Sequence, residues 1–275
     1  MTERAIFQNK VNEILSQINP EILAYDESEF WMIERRYVYV ENYAYDHQLL
    51  NTAIALPLVR GLHDGGHRKS PMIRDGVAYK IPYVIHCLMV CRMLIDLQLP
   101  ISREEEDIAL ASALCHDLIE DIPFENHGWE MVTDFHLDPR VYETVKTLSK
   151  RKDFTEEEHR AYFRGIQEDP LAVLVKLADR GNNVEDLYNM SIWKTHEYVG
   201  ETRECIFPMY TYAREHFPEL NGSLTILYEK MKTLTQVAEI LVNRYEDQDR
   251  HMNEKLVKLR EENERLRGIL KEMEE

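Results

Sequence analysis

A histidine and three carboxylates fall within six positions of one apolar segment, ALCHDLIEDIPF at residues 113–124. If this segment is one helix, His116, Asp117, Glu120 and Asp121 share a narrow arc, because residues three and four apart lie on one face. Burying three carboxylates costs much free energy unless a cation compensates. The spacing therefore favours a divalent metal held by His116 and Asp117, with Glu120 and Asp121 acting on a water. The alternative is a solvated acidic stripe that carries a histidine by chance.

Two more polar residues interrupt apolar helical segments elsewhere. His86 lies early in YKIPYVIHCLMVCRML, and Asp179 ends the apolar run in AVLVKLADRGNNVEDL. Taken singly, His86 has an alternative as a hydrogen-bonded core histidine, and Asp179 as the ion-pair partner of Arg180. Taken together with the first segment, they form the order H…HD…D on three separate helices. Mixed nitrogen and oxygen ligands suit Mn²⁺, Fe²⁺ or Mg²⁺ better than a structural zinc, which prefers cysteine-rich sites.

The composition excludes several classes of protein. Among 275 residues, 50 acidic against 33 basic side chains give a net charge of −17, which argues against a nucleic-acid partner. The apolar runs are too short to span a membrane, and the charged N-terminus lacks a signal segment. The four cysteines have no disulfide or metal-binding spacing, so we expect a reduced, cytoplasmic protein.

Apolar residues recur three and four apart along most of the chain, which predicts an all-α fold. Three regions are expected: an aromatic-rich leader at 1–45, a helical body at 46–218, and a C-terminal helix at 224–275. Strand-like alternation occurs in RYVYVENY within the leader. Loops are expected at 61–82, 122–128, 137–139 and 150–156.

The C-terminal region has the spacing of a short coiled coil. Leu256, Asn263 and Leu270 occupy one heptad position, and leucine or methionine fills the partner position three residues after each. An asparagine in such a seam typically favours a parallel dimer. We therefore expect a homodimer formed through this helix, and the alternative is a helix that folds back onto the body.

Several sequence blocks together resemble the HD-domain metal-dependent phosphohydrolases, in particular the hydrolase domain of the RelA/SpoT alarmone enzymes and small alarmone hydrolases. HDGGHRKS at 63–70, PYVIHCLMV at 82–90, ALCHDLIEDI at 113–122 and LVKLADRGNNVEDL at 174–187 occur in the family's order. TLSK and EEHRAYF between them are similar to further family segments. The resemblance covers about residues 46–217, and HDLIED with KLADR is its most specific part.

The resemblance implies an HD-type helical bundle with one catalytic Mn²⁺ and a small anionic nucleotide as substrate. It implies that Glu120 and Asp121 position or activate the water that attacks a 3′-pyrophosphate. The implied metal ligands are His86, His116, Asp117 and Asp179. The implied nucleotide and phosphate contacts are Arg68, Lys69, Ser70, Lys150 and Asn183. Residues 68–80 are locally basic, which agrees with a phosphate site inside an acidic protein.

The function expected from this resemblance is (p)ppGpp 3′-pyrophosphohydrolase activity, which releases pyrophosphate. Two alternatives remain open. The same chemistry could act on another phosphorylated nucleotide, such as NADPH or an adenosine alarmone, because Glu185 and Asp186 stand where the family has Arg and Thr. The chain could also be a nucleotide-sensing regulatory module that is dimerised by its coiled coil.

Overall fold

The computed structural model describes residues 2–68, 71–151, 153–187 and 190–274, and helices dominate these ranges. The α-helices are α1 (Glu3–Leu15), α2 (Pro20–Leu23), α3 (Phe30–His47), α4 (Leu50–Leu62), α5 (Val84–Asp96), α6 (Arg103–Cys115), α7 (Leu118–Asp121), α8 (His127–Trp129), α9 (Pro139–Leu148), α10 (Glu156–Gln167), α11 (Pro170–Glu185), α12 (Ile192–Glu201), α13 (Phe207–His216) and α14 (Asn221–Glu274). Glu27–Glu29 and Pro218–Leu220 are 3₁₀ turns, and Glu130–Asp134 and Thr202–Ile206 are π-helical turns. The predicted all-α fold with a long C-terminal helix is confirmed.

The predicted loop at 61–82 contains a short β-hairpin instead of an irregular connection. Strands β1 (Met72–Arg74) and β2 (Val77–Tyr79) pair antiparallel. Asp75 and Gly76 join them with φ angles of 51° and 77°, the backbone that an Asp-Gly hairpin turn requires. This dipeptide is the sequence signal for the hairpin.

The strand-like alternation in RYVYVENY is misleading, because the segment lies inside helix α3. The buried residues of α3, which are Ile33, Tyr37, Val40 and Ala44, recur at helical spacing. Val38 and Tyr39 are exposed. Burial against α4 and α5 therefore overrides the β-propensity of these residues.

The core is centred on α4, α5, α6 and α11, which pack against one another. The N-terminus of α4 is capped by a side chain of α6 rather than by a local residue. Asp107 accepts hydrogen bonds from the backbone N–H groups of Asn51 and Thr52 at 2.9 and 2.8 Å. These bonds satisfy backbone N–H groups of the first turn, which have no acceptor within the helix, and they fix α4 relative to α6.

Helix α14 has two halves with different surroundings. Leu224, Leu227 and Met231 are buried, and this half packs against α11, α12 and α13. Beyond Val242 every described side chain of the helix is exposed, including Leu259 at 65%. The first half thus folds onto the body, and the second half leaves its apolar side chains in solvent.

None of the described helices combines the length and the apolar character that crossing a membrane requires.

Candidate metal centre and its pocket

Three parts of the helical core bring the predicted metal ligands together. His86 lies in the first turn of α5, and Asp179 lies in α11. His116 and Asp117 lie at a break between α6 and α7, so the segment 113–124 is not the continuous helix that we expected. At the break the backbone of Asp117 has φ −98° and ψ −3°, which departs from the φ of about −63° and ψ of about −42° of a regular helix.

The ring nitrogens and carboxylate oxygens of these four residues converge on one point. His86 Nε2 lies 3.1 Å from His116 Nε2 and 3.2 Å from Asp179 Oδ1. Asp117 Oδ2 lies 3.0 Å from His116 Nε2 and 3.6 Å from His86 Nε2. His86, His116 and Asp179 are buried, and their ligand atoms could hold a metal ion.

Each of the two imidazoles forms a hydrogen bond through Nδ1, which leaves Nε2 as the nitrogen that faces the cluster. His86 Nδ1 lies 2.7 Å from the side-chain oxygen of Asn182, and His116 Nδ1 lies 2.9 Å from the carbonyl oxygen of Ala113. Both partner oxygens only accept, so each Nδ1 carries a proton, and a ring that holds a metal ion would direct the lone pair of Nε2 inward. Two such lone pairs and two carboxylates facing each other fit a bound cation.

Neighbouring side chains orient the two carboxylates. The Tyr83 hydroxyl donates to Asp117 Oδ2 at 2.5 Å. Lys176 Nζ donates to Asp179 Oδ2 at 3.1 Å, and Asn183 Nδ2 donates to Asp179 Oδ1 at 2.6 Å. Each donor restricts the rotation of a carboxylate, which is the role that outer contacts have around metal ligands.

The electrostatics of the cluster favour ionised carboxylates. Burial raises the pKa of Asp117, but the charge and hydrogen bond of His116 together with the charge of His86 outweigh burial and lower that pKa well below its usual range. For Asp179, Lys176 and the histidines outweigh burial in the same direction. The two aspartates in turn raise the pKa of His116 to about 9 against the opposing effect of burial. The site thus holds negative charge that positive charge must balance.

The cluster lies in the wall of a cavity of about 460 Å³, a volume typical of small-molecule sites. The predicted residues Arg68, Glu120, Asp121, Lys150 and Asn183 also line this cavity. The predicted contacts Lys69 and Ser70 lie outside the residues that the structure describes.

Glu120 and Lys150 are directly connected. The backbone N–H of Lys150 donates to Glu120 Oε1 at 2.6 Å. The side-chain Nζ of Lys150 donates to Glu201 Oε1 at 2.9 Å. Burial, followed by the charges of Asp117 and Asp179, raises the pKa of Glu120 above its ordinary value. A carboxylate with a raised pKa is better able to accept and return a proton near neutral pH.

Helix α12 forms a second wall of the cavity that is not predicted from the sequence. Lys194, Glu197, Tyr198 and Glu201 line the cavity at intervals of three and four residues, and we call this surface the α12 wall. The spacing K-x-x-E-Y-x-x-E is visible in the sequence, but only the tertiary structure brings it opposite the metal cluster.

Glu185 and Asp186 form ion pairs with different residues. Asp186 Oδ2 lies 2.6 Å from Arg68 Nη2, so it pairs with a predicted nucleotide contact. Glu185 forms an ion pair with Lys230 of α14 and does not line the cavity. Asp186 therefore compensates the positive charge of Arg68, while Glu185 connects α11 to α14.

Residues 83–183 match the family model described as HD domain. This range contains all four predicted metal ligands together with Glu120, Asp121, Lys150 and Asn183.

Comparison with curated proteins gives relatives that include two enzymes named for (p)ppGpp hydrolysis. The chain is 29% identical over 160 residues to the guanosine-3′,5′-bis(diphosphate) 3′-pyrophosphohydrolase of Vibrio cholerae, covering 55% of this chain and 20% of that protein. It is 26% identical over 178 residues to the bifunctional (p)ppGpp synthase/hydrolase SpoT of Escherichia coli (strain K12), covering 62% and 23% respectively. The aligned part thus spans about a fifth of the length of these relatives. The resemblance to HD-domain phosphohydrolases of the RelA/SpoT type is confirmed.

Proposed function

We propose that the HD domain of this chain is a metal-dependent (p)ppGpp 3′-pyrophosphohydrolase, which releases pyrophosphate from the 3′ position and leaves GDP or GTP. The observation that carries this proposal is the convergence of two imidazole nitrogens and two carboxylates in the wall of a nucleotide-sized cavity. The activities for which these relatives are named supply the substrate class.

We propose His86, His116, Asp117 and Asp179 as the metal ligands and Mn²⁺ as the ion, with Fe²⁺ or Mg²⁺ as alternatives. Two nitrogens with two carboxylate oxygens suit these ions. When bound, such an ion supplies Lewis acidity that polarises a phosphoryl oxygen and acidifies water at the site.

In the proposed reaction, Glu120 and Asp121 orient the attacking water and carry its proton. The water oxygen forms a bond to the phosphorus next to the ribose, the bond between that phosphorus and the 3′ oxygen breaks, and the 3′ oxygen takes up a proton. The raised pKa of Glu120 suits this transfer.

The remaining proposed contacts bind the nucleotide and its phosphates. Arg68 and Lys150 line the cavity and supply positive charge, and Asn183 lines it beside Asp179. Lys69 and Ser70 are proposed from the sequence resemblance alone.

The test is release of pyrophosphate from ppGpp by the Mn²⁺-loaded protein, with a panel of other nucleotides alongside. Glu120→Gln should lower kcat by at least about a hundredfold, because it removes a proton-transfer group. Glu204→Gln is the matched control, since Glu204 is exposed and does not line the cavity. Release of orthophosphate only, or full activity in the Glu120 variant, would contradict the proposal.

A second candidate keeps the chemistry and changes the nucleotide, for instance to NADPH or an adenosine alarmone. The contact between Asp186 and Arg68 favours it, because a carboxylate already occupies a side chain that the resemblance assigns to the nucleotide. The same panel separates these substrates. Micromolar binding with no hydrolysis of any nucleotide would instead favour the sensing module.

For the whole chain we propose a homodimer formed through a coiled coil of the distal half of α14, and we retain 1–45, 46–218 and 224–275 as proposed regions. The exposed leucines of this half support the dimer, because solvent-exposed apolar side chains at heptad spacing are stabilised by a partner helix. A cytoplasmic location and the absence of nucleic-acid and membrane partners stay predictions from the composition.

A further inference from the structure

The exposed seam of α14 continues the face by which the first half of the same helix packs against the body. Ala238 and Val242 are buried in the first half. Repeated steps of three and four residues lead from them to Tyr245, Met252 and Leu256, which are exposed. Because α14 is one unbroken helix and the drift of such a pattern is only about 20° per heptad, both halves turn this face to the same side.

This continuity conflicts with a parallel dimer. In a parallel coiled coil each residue faces the same residue of its partner, and the two helix axes lie about 8–10 Å apart. The first halves of the two helices would then also face each other, although α11, α12 and α13 already cover that face. Two bodies would have to share the space between the helices, so a parallel pair requires a sharp bend near Val242, where α14 is a continuous helix.

An antiparallel dimer avoids the conflict, because the two bodies then lie at opposite ends of the paired helices. In this orientation the two seam positions of the heptad face each other. When Leu256 faces Leu259 of the partner, Tyr245 faces Leu270 of the partner. The partner helix then ends beside Val242, which is the last buried residue in the described part of α14. The exposed half therefore has the length that one partner helix covers.

The charged residues that flank the seam favour the same register. Glu246 lies beside Arg267 of the partner, and Lys255 lies beside Glu262 of the partner, so opposite charges meet on both flanks. Two-fold symmetry repeats each pair. All four side chains are exposed. Glu262 Oε1 accepts from Arg265 of its own helix at 2.9 Å, which leaves Oε2 for the lysine.

Neighbouring arrangements bring like charges together. A shift of one heptad in one direction places Arg260 beside Arg260 of the partner and Glu262 beside Glu262 of the partner. The opposite shift places Lys255 beside Lys255 of the partner, and the parallel pairing places it beside Arg260 of the partner. Like charges across a coiled coil select against a pairing. Of these four arrangements, the antiparallel register with Leu256 opposite Leu259 alone avoids them.

We infer that a second copy of this chain binds antiparallel along the exposed half of α14, with Leu256 opposite Leu259 of the partner. The two HD domains then lie at opposite ends of the paired helices. Asn263 faces Met252 of the partner instead of a second asparagine, so it does not impose the parallel orientation that its position in the sequence favours. The inference rests on the proposed homodimer and adds its orientation and register.

Cysteine cross-linking distinguishes the two orientations. Tyr245→Cys and Leu270→Cys are introduced into separate full chains, which are oxidised mildly either alone or after mixing and subunit exchange. In the antiparallel dimer the two cysteines face each other only in a mixed pair, and in either variant alone they lie roughly 37 Å apart. A cross-linked dimer should therefore form in the mixture and not with either variant alone. The unmodified chain is the control for the native cysteines, of which Cys87, Cys91 and Cys115 are buried.

Charge reversal tests the register. Arg267→Glu should raise the Kd of the dimer by about tenfold, because two attractive contacts with Glu246 become repulsive. Adding Glu246→Arg to the same chain should return the Kd to within about threefold of the unmodified value, as measured by analytical ultracentrifugation. Lys258→Glu is the control, since it makes the same change in net charge at an exposed position away from the seam and its flanks.

Three results would overturn the inference in different ways. Cross-linking of each variant with itself would show a parallel dimer, so the orientation would fail while the homodimer stands. Cross-linking of the mixture without rescue by Glu246→Arg would overturn the register. A monomeric full chain in light scattering would overturn the inference together with the proposed homodimer.

Discussion

At the scale of single residues, the geometry of His86 and His116 explains why two imidazoles can face each other in the core. Each ring uses Nδ1 to donate to an oxygen of the protein, so each Nε2 presents a lone pair. Without a cation, two lone pairs 3.1 Å apart would repel, and the nearby aspartates raise the pKa of His116. The role of these residues is therefore tested best by metal binding itself.

Asp179→Asn should weaken Mn²⁺ binding by at least about tenfold, because a neutral amide replaces a carboxylate ligand. The measurement is the metal content after gel filtration, together with the rise in melting temperature that added Mn²⁺ causes in the unmodified protein. Asp153→Asn, at an exposed position, is the control. A normal metal content in the Asp179 variant would remove this residue from the ligand set.

Tyr83→Phe should lower Mn²⁺ affinity by about tenfold, because it removes the hydroxyl that fixes Asp117. Calorimetric titration with Mn²⁺ measures the change. Tyr39→Phe is a matched control, since the Tyr39 hydroxyl donates to an exposed carboxylate, Asp96, at 2.7 Å. Unchanged Mn²⁺ affinity in the Tyr83 variant would mean that packing orients the Asp117 carboxylate without this hydrogen bond.

At the scale of elements, Glu201 connects several helices at one end of the cavity. It ends α12 and contacts Arg180 of α11, Lys150 after α9, and His159 of α10, whose Nε2 lies 3.1 Å away. A π-helical turn begins at the next residue, Thr202, which changes the direction of the chain toward α13. Loss of the Glu201 charge would leave the buried Arg180 without its carboxylate partner.

Glu201→Gln should lower the free energy of unfolding at pH 7 by about 1–3 kcal/mol. Because the pKa of Glu201 is lowered in the folded state, its stabilising effect is present above the ordinary value of 4.5 and is lost as the pH falls toward the folded pKa. The difference between the two proteins should therefore stay nearly constant from pH 7 to about pH 4.5 and shrink as the pH falls below that value, as measured by urea unfolding. A difference that is constant with pH would indicate a packing effect instead of a charge effect.

At the scale of the whole molecule, the first half of α14 packs against the helical body and its second half is exposed. Its first half carries Lys230, which pairs with Glu185 at the end of α11, so the helix reaches the element that holds Asp179. Its second half exposes Leu259, Leu266 and Met273 on the predicted seam. Removal of all of α14 would take away its buried residues Leu224, Leu227 and Met231 and uncover the surfaces of α11, α12 and α13 against which this half packs. A test of the dimer must therefore cut beyond the buried half.

A chain ending at Glu246 should be monomeric by light scattering, while the full chain should have the mass of a dimer, because the seam supplies the apolar contact between copies. Leu259→Glu in the full chain should also dissociate the dimer. Val257→Glu is the control, since Val257 is similarly exposed but lies off the seam. A monomeric full chain at micromolar concentration would contradict the coiled-coil proposal.

The sequence by itself determined the helical class and the residue types of the metal cluster. Helical periodicity and buried polar residues in apolar runs are local properties, so His86, His116, Asp117 and Asp179 could be selected without coordinates. The resemblance added the order of the blocks and the substrate class.

Only the tertiary structure decided features that depend on contacts between distant segments. The break after His116, the helical state of RYVYVENY and the burial of the first half of α14 each follow from packing that local propensity does not encode. The α12 wall is the main example. In the sequence its charged residues resemble an ordinary solvated helix face. In the structure Glu201 pairs with Lys150 and Arg180, and Lys194 pairs with Glu197, so these ion pairs contribute to the charge of the cavity.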